Sequence, residues 1–280
     1  MKVKALRLVQ VLGCSSGNYT RAHGRNTSAV KIVLGTTPVE EDGSVHCLAP
    51  IEKGIYFQLL DQDGLAVQSM LSLTYVHPGE RLSCLGCHEH RNKAPANYRP
   101  GKAMQRPPSA ITPETPDGRV AISESYIVPA VNRVIAACAR LPDGPKTTNP
   151  RELVKAGWLR YSEGFGVNQG DKSFRTTPDA FGARGCKLWE LIKSNRDRLV
   201  GLEQDDIRLT ALYMDLLCVG SSTYQNNVVK DKEGRAWPRH PDLDINNPLG
   251  LEVVRQAGEA RADRRRGGRR RVLAARSWDR

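Results

Sequence analysis

Aromatic residues and long hydrophobic runs are both scarce in this sequence. Aromatic residues make up 6% of the 280 residues, and hydrophobic residues 39%. No stretch reaches the roughly 18 consecutive apolar residues that a membrane-spanning helix needs, so none is predicted. Charged residues make up 26%, close to the soluble average of about 25%, which excludes a collagenous or wholly disordered chain. The composition predicts one or two globular domains.

Cysteine is also too sparse to build a disulfide scaffold, because the chain has seven, an odd number, in 280 residues. A signal peptide is not recognisable near the N-terminus, where Arg7 and Gln10 interrupt a short apolar stretch. We therefore expect residues 3–12 to form a strand, and any export signal to lie outside this sequence.

The positive charge is concentrated at the C-terminus. The net charge is +12, and residues 250–280 hold ten arginines against four acidic residues, which accounts for half of that excess. Arginine-rich segments can contact nucleic-acid phosphates, but here Trp278 is an isolated aromatic residue with no partner for base stacking. We predict that 226–280 is a disordered extension with an arginine-rich tail, and that nucleic acid is not a partner.

The periodicity changes from β to α along the chain. Short β-rich runs separated by Asp-Gly and Pro-Gly turns predict an antiparallel β-sandwich-like domain, with strands at 3–12, 29–34, 44–48, 55–60 and 70–76. Apolar residues at helical spacing predict helices at 125–141, 149–158, 187–192 and 205–217. The predicted fold is mixed α+β, with a β-rich domain (1–90), a Pro-rich linker (91–118), a mostly helical region (119–225) and the C-terminal extension (226–280).

A C-x-x-C-H motif ends the β-rich part, as Cys84-Leu85-Gly86-Cys87-His88. This is the attachment signature of haem c: two thiols add across the vinyl groups of one porphyrin, and the adjacent imidazole can ligate the iron. The sequence assigns Cys84 and Cys87 to covalent attachment of one haem c, and His88 to the iron. Met70 and His77, on the segment leading into the motif, are the candidates for the sixth iron ligand.

Two other interpretations of the same motif stay open. A structural zinc site needs two further Cys or His ligands, and the chain has no second C-x-x-C. A thioredoxin-like redox pair needs a strand before and a helix after the two cysteines, whereas Pro78-Gly79 precede them and a Pro-rich stretch follows.

Several strings around the motif resemble the middle domain of hydrazine synthase alpha subunits. The resemblance is close over residues 1–90 and looser over about 120–225, and it rests on the segments 35–44 (GTTPVEEDGS), 55–61 (IYFQLLD), 66–70 (AVQSM), 73–80 (LTYVHPGE) and 83–89 (SCLGCHE). It implies a β-rich domain with covalent haem c, followed by a cytochrome-c-like helical segment.

The same resemblance implies a location and a context. Haem c is attached in an oxidising compartment, so a periplasmic or otherwise exported protein is implied. Family members are usually longer, so this chain is expected to be a fragment or truncated member. Its partners would then be a redox protein or the other domains of a larger architecture.

The sequence departs from the family at two informative places. In hydrazine synthase a Tyr four residues after the motif His ligates iron, but Asn92 stands at that position here. The corresponding second haem motif is reduced to Cys138, with Pro142 at the position of the ligand His. We therefore expect a single haem, His88 rather than a tyrosine on the iron, and Cys138 as a buried helix thiol.

Three functions follow as hypotheses. The first is a c-type haem protein that serves as an electron-transfer or haem-based redox module in an exported assembly. The alternative is a haem oxidoreductase related to hydrazine synthase that acts on a small nitrogen compound. The third is an interaction module whose haem is vestigial. No catalytic residue is assigned from the sequence, so whether the chain is an enzyme stays open.

Overall fold

A computed structural model describes residues 3–11, 31–70, 73–84, 100–115, 121–122, 128–159 and 178–216. The strands are Ala5–Val11 (β1), Lys31–Pro38 (β2), Ile55–Leu60 (β3), Ala66–Ser69 (β4) and Ala121–Ile122 (β5). They form one antiparallel sheet in the order β4-β3-β1-β2-β5, so β1 is the central strand.

The alternation of side chains along β1 gives the sheet two different faces. Successive residues of a strand point to opposite sides, so Leu8 lies on one face and Arg7 and Val9 lie on the other. Leu8 is paired with Gly35 of β2 and with Phe57 of β3. All three central strands are therefore buried on both faces, and the described helices cover one of the two faces.

The helices follow the sheet in the chain and cover one of its faces. They are Val128–Cys138 (α1), Pro150–Lys155 (α2), Lys187–Ser194 (α3) and Gln204–Asp215 (α4). Val9, Val33 and Tyr56 from the sheet share one hydrophobic cluster with apolar residues of all four helices, which we call the helix-side core. None of the helices in the described ranges is long and apolar enough to span a bilayer.

Loops rather than helices cover the opposite face. Its hydrophobic cluster, which we call the outer core, consists of Leu8, Ile32, Leu34, Ile55 and Val76. Partly buried side chains from loops, including Ala49 and Ile111, pack against this cluster. Part of the covering therefore comes from residues 100–115, a segment that the sequence assigned to the Pro-rich linker.

Residues 100–115 are joined to the sheet by backbone hydrogen bonds. Thr36 and Thr112 exchange two of them, at 2.8 and 2.9 Å. The close approach requires Gly35, because a Cβ at that position would lie 2.2 Å from the Thr112 carbonyl oxygen. Gly35 also adopts a φ of +137° beside the irregularity in the β1–β2 register, a conformation that other residues rarely take.

The structure confirms the mixed α and β composition, but the strands are arranged differently from the prediction. The described strands form one sheet, not the two sheets of a sandwich, because helices bury the face that a second sheet would cover. The predicted strand at 44–48 is wrong, since that segment makes an isolated bridge at Cys47, and the described residues of the predicted strand at 70–76 make an isolated bridge at Thr74. The strand closest to the predicted strand at 70–76 is β4, which precedes it in the chain at Ala66–Ser69.

The predicted helices are confirmed within the described residues. The pattern at 125–141 contains α1, that at 149–158 contains α2, and those at 187–192 and 205–217 overlap α3 and α4. The proposed domain boundaries stay predictions. The extension at 226–280, together with Cys87 and His88, lies outside the described residues.

Candidate functional site

Cys84 is the member of the C-x-x-C-H motif that the structure describes. It is a free, exposed cysteine at the end of the segment 73–84. The donor set of the motif, two thiols and an imidazole, has the chemistry that covalent haem attachment needs. An accessible thiol at Cys84 fits that requirement, since a porphyrin must reach the sulfur from outside the core.

A tight turn precedes this cysteine and fixes the course of the chain. The N–H of Glu80 donates to the carbonyl oxygen of His77 at 3.0 Å, and the N–H of His77 donates to Oε2 of Glu80 at 2.7 Å. Gly79 supports the turn with a φ of +78°. Upstream, Val76 is buried in the outer core, so the turn begins from an anchored residue.

The two candidates for the sixth iron ligand occupy different environments. Met70 is partly buried and packs against the helix-side core, and its N–H donates to the Phe57 carbonyl oxygen at 2.9 Å. His77 is exposed at the turn before Cys84. The structure does not bring the two side chains together. Within the described part of the chain, no three His, Cys, Asp or Glu side chains form a metal-binding group.

The expected buried helix thiol at Cys138 is confirmed. Cys138 is the last residue of α1 and is fully buried, and burial raises the pKa of its thiol to about 11. Its carbonyl oxygen accepts a hydrogen bond from the N–H of Leu141, so the chain turns away at the helix end and leaves Pro142 exposed. This thiol is enclosed in the helix-side core, where a porphyrin has no access.

A buried cluster of charged and polar side chains joins the sheet to the helices, and sequence reasoning missed it. Arg7 is 2% exposed, and each of its five N–H groups has an acceptor in the protein. Those acceptors are Glu114 Oε1 at 2.6 Å and Oε2 at 3.0 Å, the Gly64 carbonyl at 2.9 Å, Gln58 Oε1 at 3.0 Å and Asp215 Oδ2 at 3.4 Å.

Asp215 is the helical member of this cluster and is fully buried. Its Oδ2 accepts the N–H of Ala66 and its Oδ1 accepts the N–H of Ala183, each at 2.9 Å. The Asp215 backbone carbonyl accepts Nε2 of Gln58 at 2.9 Å. Burial raises the pKa of the Asp215 carboxyl, against the lowering effect of Arg7 and the two N–H donors. A single residue thus ties α4 to β3, β4 and the turn at Ala183–Gly185.

The cluster has a structural role, which is to tie the sheet to the helices. The donors of Arg7 are all engaged by protein groups, and the Asp215 carboxylate is enclosed by backbone, so neither group presents a free polar atom to a substrate. One signal in the sequence pointed to it: Arg7 is a charged residue in a mostly apolar strand. A charged residue at a buried strand position requires a buried partner, but the sequence does not reveal which acid supplies it.

The N-terminal part of the chain is similar to a known protein family. Residues 2–89 match the family model of the hydrazine synthase alpha subunit middle domain. The matched range holds β1 to β4, the turn at 77–80 and the whole C-x-x-C-H motif. The helical region and the segment 100–115 follow the middle-domain match in the chain.

A curated relative points to the same family. The chain is 30% identical over 102 residues to hydrazine synthase subunit alpha of Kuenenia stuttgartiensis, in an alignment that covers 31% of this chain and 13% of that protein. The chain therefore spans a small part of the length of this relative. A solved structure of Kuenenia stuttgartiensis hydrazine synthase is 25% identical, covering 37% of this chain and 16% of its own, with a TM-score of 0.30.

Proposed function

We propose that this chain is a c-type haem protein that carries one haem, attached covalently through Cys84 and Cys87, with His88 as an iron ligand. The observation that carries the proposal is the C-x-x-C-H motif at the end of the matched middle domain. In attachment, each Cys S–H bond adds across one vinyl group, so that a thioether forms and the proton goes to the vinyl carbon. Bound haem would supply reversible one-electron chemistry.

The accessibility of the thiols supports attachment at this motif and not at the other described cysteines. Cys84 is exposed, whereas Cys138 and Cys186 are buried and Cys47 is partly buried. Burial raises the pKa of both Cys47 and Cys138, which lowers the fraction of reactive thiolate at neutral pH. One haem per chain is therefore part of the proposal.

We assign the sixth iron position to His77 in preference to Met70. His77 is exposed on the turn that leads to Cys84, while the Met70 side chain packs against the helix-side core. Using Met70 would require that packing to be broken, whereas the exposed His77 side chain is free of such packing. Two histidine ligands would make the iron six-coordinate, which suits electron transfer.

As a further part of the proposal, the helices α1 to α4 belong to a cytochrome-c-like segment that has lost its own haem site. Cys138 stands where a second attachment motif would begin, and the next residues offer neither a second cysteine nor a histidine. These helices cover the sheet through the helix-side core and the Asp215 tie. Their role would be to support the haem-bearing domain.

The cellular setting follows from the cofactor. Haem c is attached after export, so we place the protein in the periplasm or an equivalent exported compartment. The curated relative is much longer than its matched region, which makes up 13% of its length. We therefore propose that the chain functions within a larger assembly and exchanges electrons with a redox partner protein or with neighbouring domains.

The name of the relative supports a second candidate function. Hydrazine synthase subunit alpha shares 30% identity with this chain over the matched region. A haem oxidoreductase that acts on a small nitrogen compound would need a vacant iron position, and thus a five-coordinate haem. An electron-transfer module would instead hold both axial positions with side chains.

The deciding experiment is expression of the full chain with a c-type maturation system. We expect haem to remain on the denatured polypeptide at one per chain, and to be lost in the double variant Cys84→Ala with Cys87→Ala. The variant Cys138→Ala is the matched control and should keep its haem. Haem that extracts freely into acidic acetone would refute the proposal. A low-spin spectrum would favour electron transfer, and a high-spin spectrum the oxidoreductase.

A further inference from the structure

Two large apolar side chains lie exposed just before the haem motif. Tyr75 is 56% exposed and Leu82 is 44% exposed, whereas Val76 in the same segment is buried. Five large hydrophobic side chains are strongly exposed in the described residues, and two of them fall within the nine positions that precede Cys84. Exposed apolar side chains that lie near one another can mark a binding site, and these two lie close in the chain to the proposed attachment site.

Tyr75 is held in place on one side. A Cβ added to Gly54 would lie 3.6 Å from the Tyr75 hydroxyl oxygen and 3.7 Å from its Cε1. The ring therefore rests against the backbone that leads into β3. Hydrogen bonds between Thr74 and Ile55, at 2.8 and 3.0 Å, fix the backbone next to Tyr75. The ring is positioned by the sheet while more than half of its surface is left open.

Leu82 is close to the attachment point by the length of the chain alone. Two residues of extended backbone span at most about 7 Å, so the Cα atoms of Leu82 and Cys84 are within that distance. The turn from His77 to Glu80 reverses the chain between Tyr75 and Leu82. Cys84 is itself exposed, so a large group bonded to its sulfur would start within reach of the Leu82 side chain.

We propose that Tyr75 and Leu82 form an apolar rim that packs against the haem attached at Cys84 and shields it from water. The proposal rests on the haem function proposed above and adds the side chains that set the properties of the haem. A porphyrin is a large apolar plate, and a plate tethered at the surface needs apolar side chains to cover it. Nothing else among the described residues as close to Cys84 in the chain offers such a surface.

The rim has a consequence for the reduction potential. The ferric form carries one more positive charge than the ferrous form, so contact with water stabilises the ferric form. Shielding by Tyr75 and Leu82 raises the potential, and removal of the shield lowers it. The decrease in reduction potential should be largest when both Tyr75 and Leu82 are replaced by small polar side chains.

The test uses the full chain matured with haem, in four forms: unsubstituted, Leu82→Ser, Tyr75→Ser and Val200→Ser. Val200 is the matched control, an apolar side chain that is 81% exposed and lies between α3 and α4. Haem content is measured first on denaturing gels, and the midpoint potential then by spectroelectrochemical titration. We expect equal covalent haem in all four, a more negative potential in both rim variants, and no change in Val200→Ser. A fifth form, Tyr75→Phe, keeps the aromatic ring and should therefore keep the midpoint potential of the unsubstituted chain.

The outcomes separate this inference from the function on which it rests. Covalent haem in every form, with the same potential in the rim variants as in the unsubstituted chain, would overturn the rim and leave the haem function standing. Absence of covalent haem from the unsubstituted chain would overturn both. A shift of equal size in Val200→Ser would also overturn the rim, because the effect would then not depend on proximity to Cys84.

Discussion

Oδ2 of Asp215, at the end of α4, lies 3.4 Å from Nη1 of Arg7 in β1, although 208 positions separate the two residues in the chain. Both side chains are almost completely buried. Arg7 also pairs with Glu114, so a single guanidinium links the central strand to the segment 100–115 and to the last helix. The sheet matched by the middle-domain family and the helices that follow it are therefore parts of one core.

The first prediction concerns this tie. Asp215→Ala removes the carboxylate that accepts the N–H groups of Ala66 and Ala183, and leaves both donors buried without a partner. Breaking a buried charged pair costs about 3–5 kcal/mol, and we expect a loss of that order in the free energy of unfolding. Urea denaturation followed by circular dichroism measures it.

Glu190→Ala provides the matched control for Asp215→Ala. Glu190 pairs with Lys193 on an exposed face of α3, at 2.8 Å. An exposed pair contributes less than about 1 kcal/mol, so this variant should unfold close to the unsubstituted chain. Equal losses in the two variants would contradict the assignment of Asp215 as the tie.

The second prediction concerns the turn that contacts Asp215. Gly182 has a φ of +62°, and a Cβ there would lie 2.4 Å from Oδ1 of Asp215. Gly182→Ala should therefore lower the melting temperature, since a left-handed conformation alone costs about 1–2 kcal/mol and the collision adds to it. Gly201 also has a positive φ, of +83°, but a Cβ added at that position would have no atom within 4 Å. Gly201→Ala is therefore the control. A smaller loss in Gly201→Ala is expected, and a larger one would argue against the collision.

The third prediction concerns the reactivity of the thiols in the chain without haem. Alkylation requires the thiolate and access to it, so exposed Cys84 should react with iodoacetamide at pH 8. Cys138 should not, because it is fully buried and its pKa is raised to about 11. Mass spectrometry of peptides from the folded protein checks this, and the same experiment in urea should label both. Rapid labelling of Cys138 in the folded protein would show that α1 is not packed as described.

The fourth prediction is that the contribution of Asp42 to the stability of the fold depends on pH. Asp42 accepts hydrogen bonds from the hydroxyl and N–H of Ser44 and from the N–H of Lys102, which lower the pKa of its carboxyl to about 2. The carboxyl of an Asp in an unfolded chain has a pKa of about 3.9. Because the folded pKa is lower, the stabilisation by Asp42 is complete above the unfolded pKa and is lost as the pH falls toward 2.

The variant Asp42→Asn isolates this effect from the titration of other groups. The difference in unfolding free energy between the unsubstituted chain and the variant should be constant above about pH 5 and should shrink as the pH falls through the window between the two pKa values. A difference that grows on acidification would contradict the sign. NMR titration of the Asp42 carboxyl provides a direct check of the lowered pKa.

Some elements were predictable because their signal is local. The apolar run at Ile55–Leu60 and the Asn-Pro start of α2 carry their own turn and capping signals, and both elements form where those signals indicate. The segment 70–76 has a β-rich composition, but its described residues make an isolated bridge, at Thr74, and no ladder. Its composition favoured a strand, whereas pairing depends on a neighbour that the sequence does not specify.

The sequence by itself determined the haem proposal, because the order of Cys84, Cys87 and His88 along the chain matches the attachment motif of haem c, and the strings around it resemble one family. It also determined the change from strands to helices, through the period of the apolar residues. Only the tertiary structure decided that the helices cover the sheet and that Arg7 meets Asp215. Contacts between distant positions depend on how the whole chain packs, and no local pattern of residues specifies which buried acid will face a buried arginine.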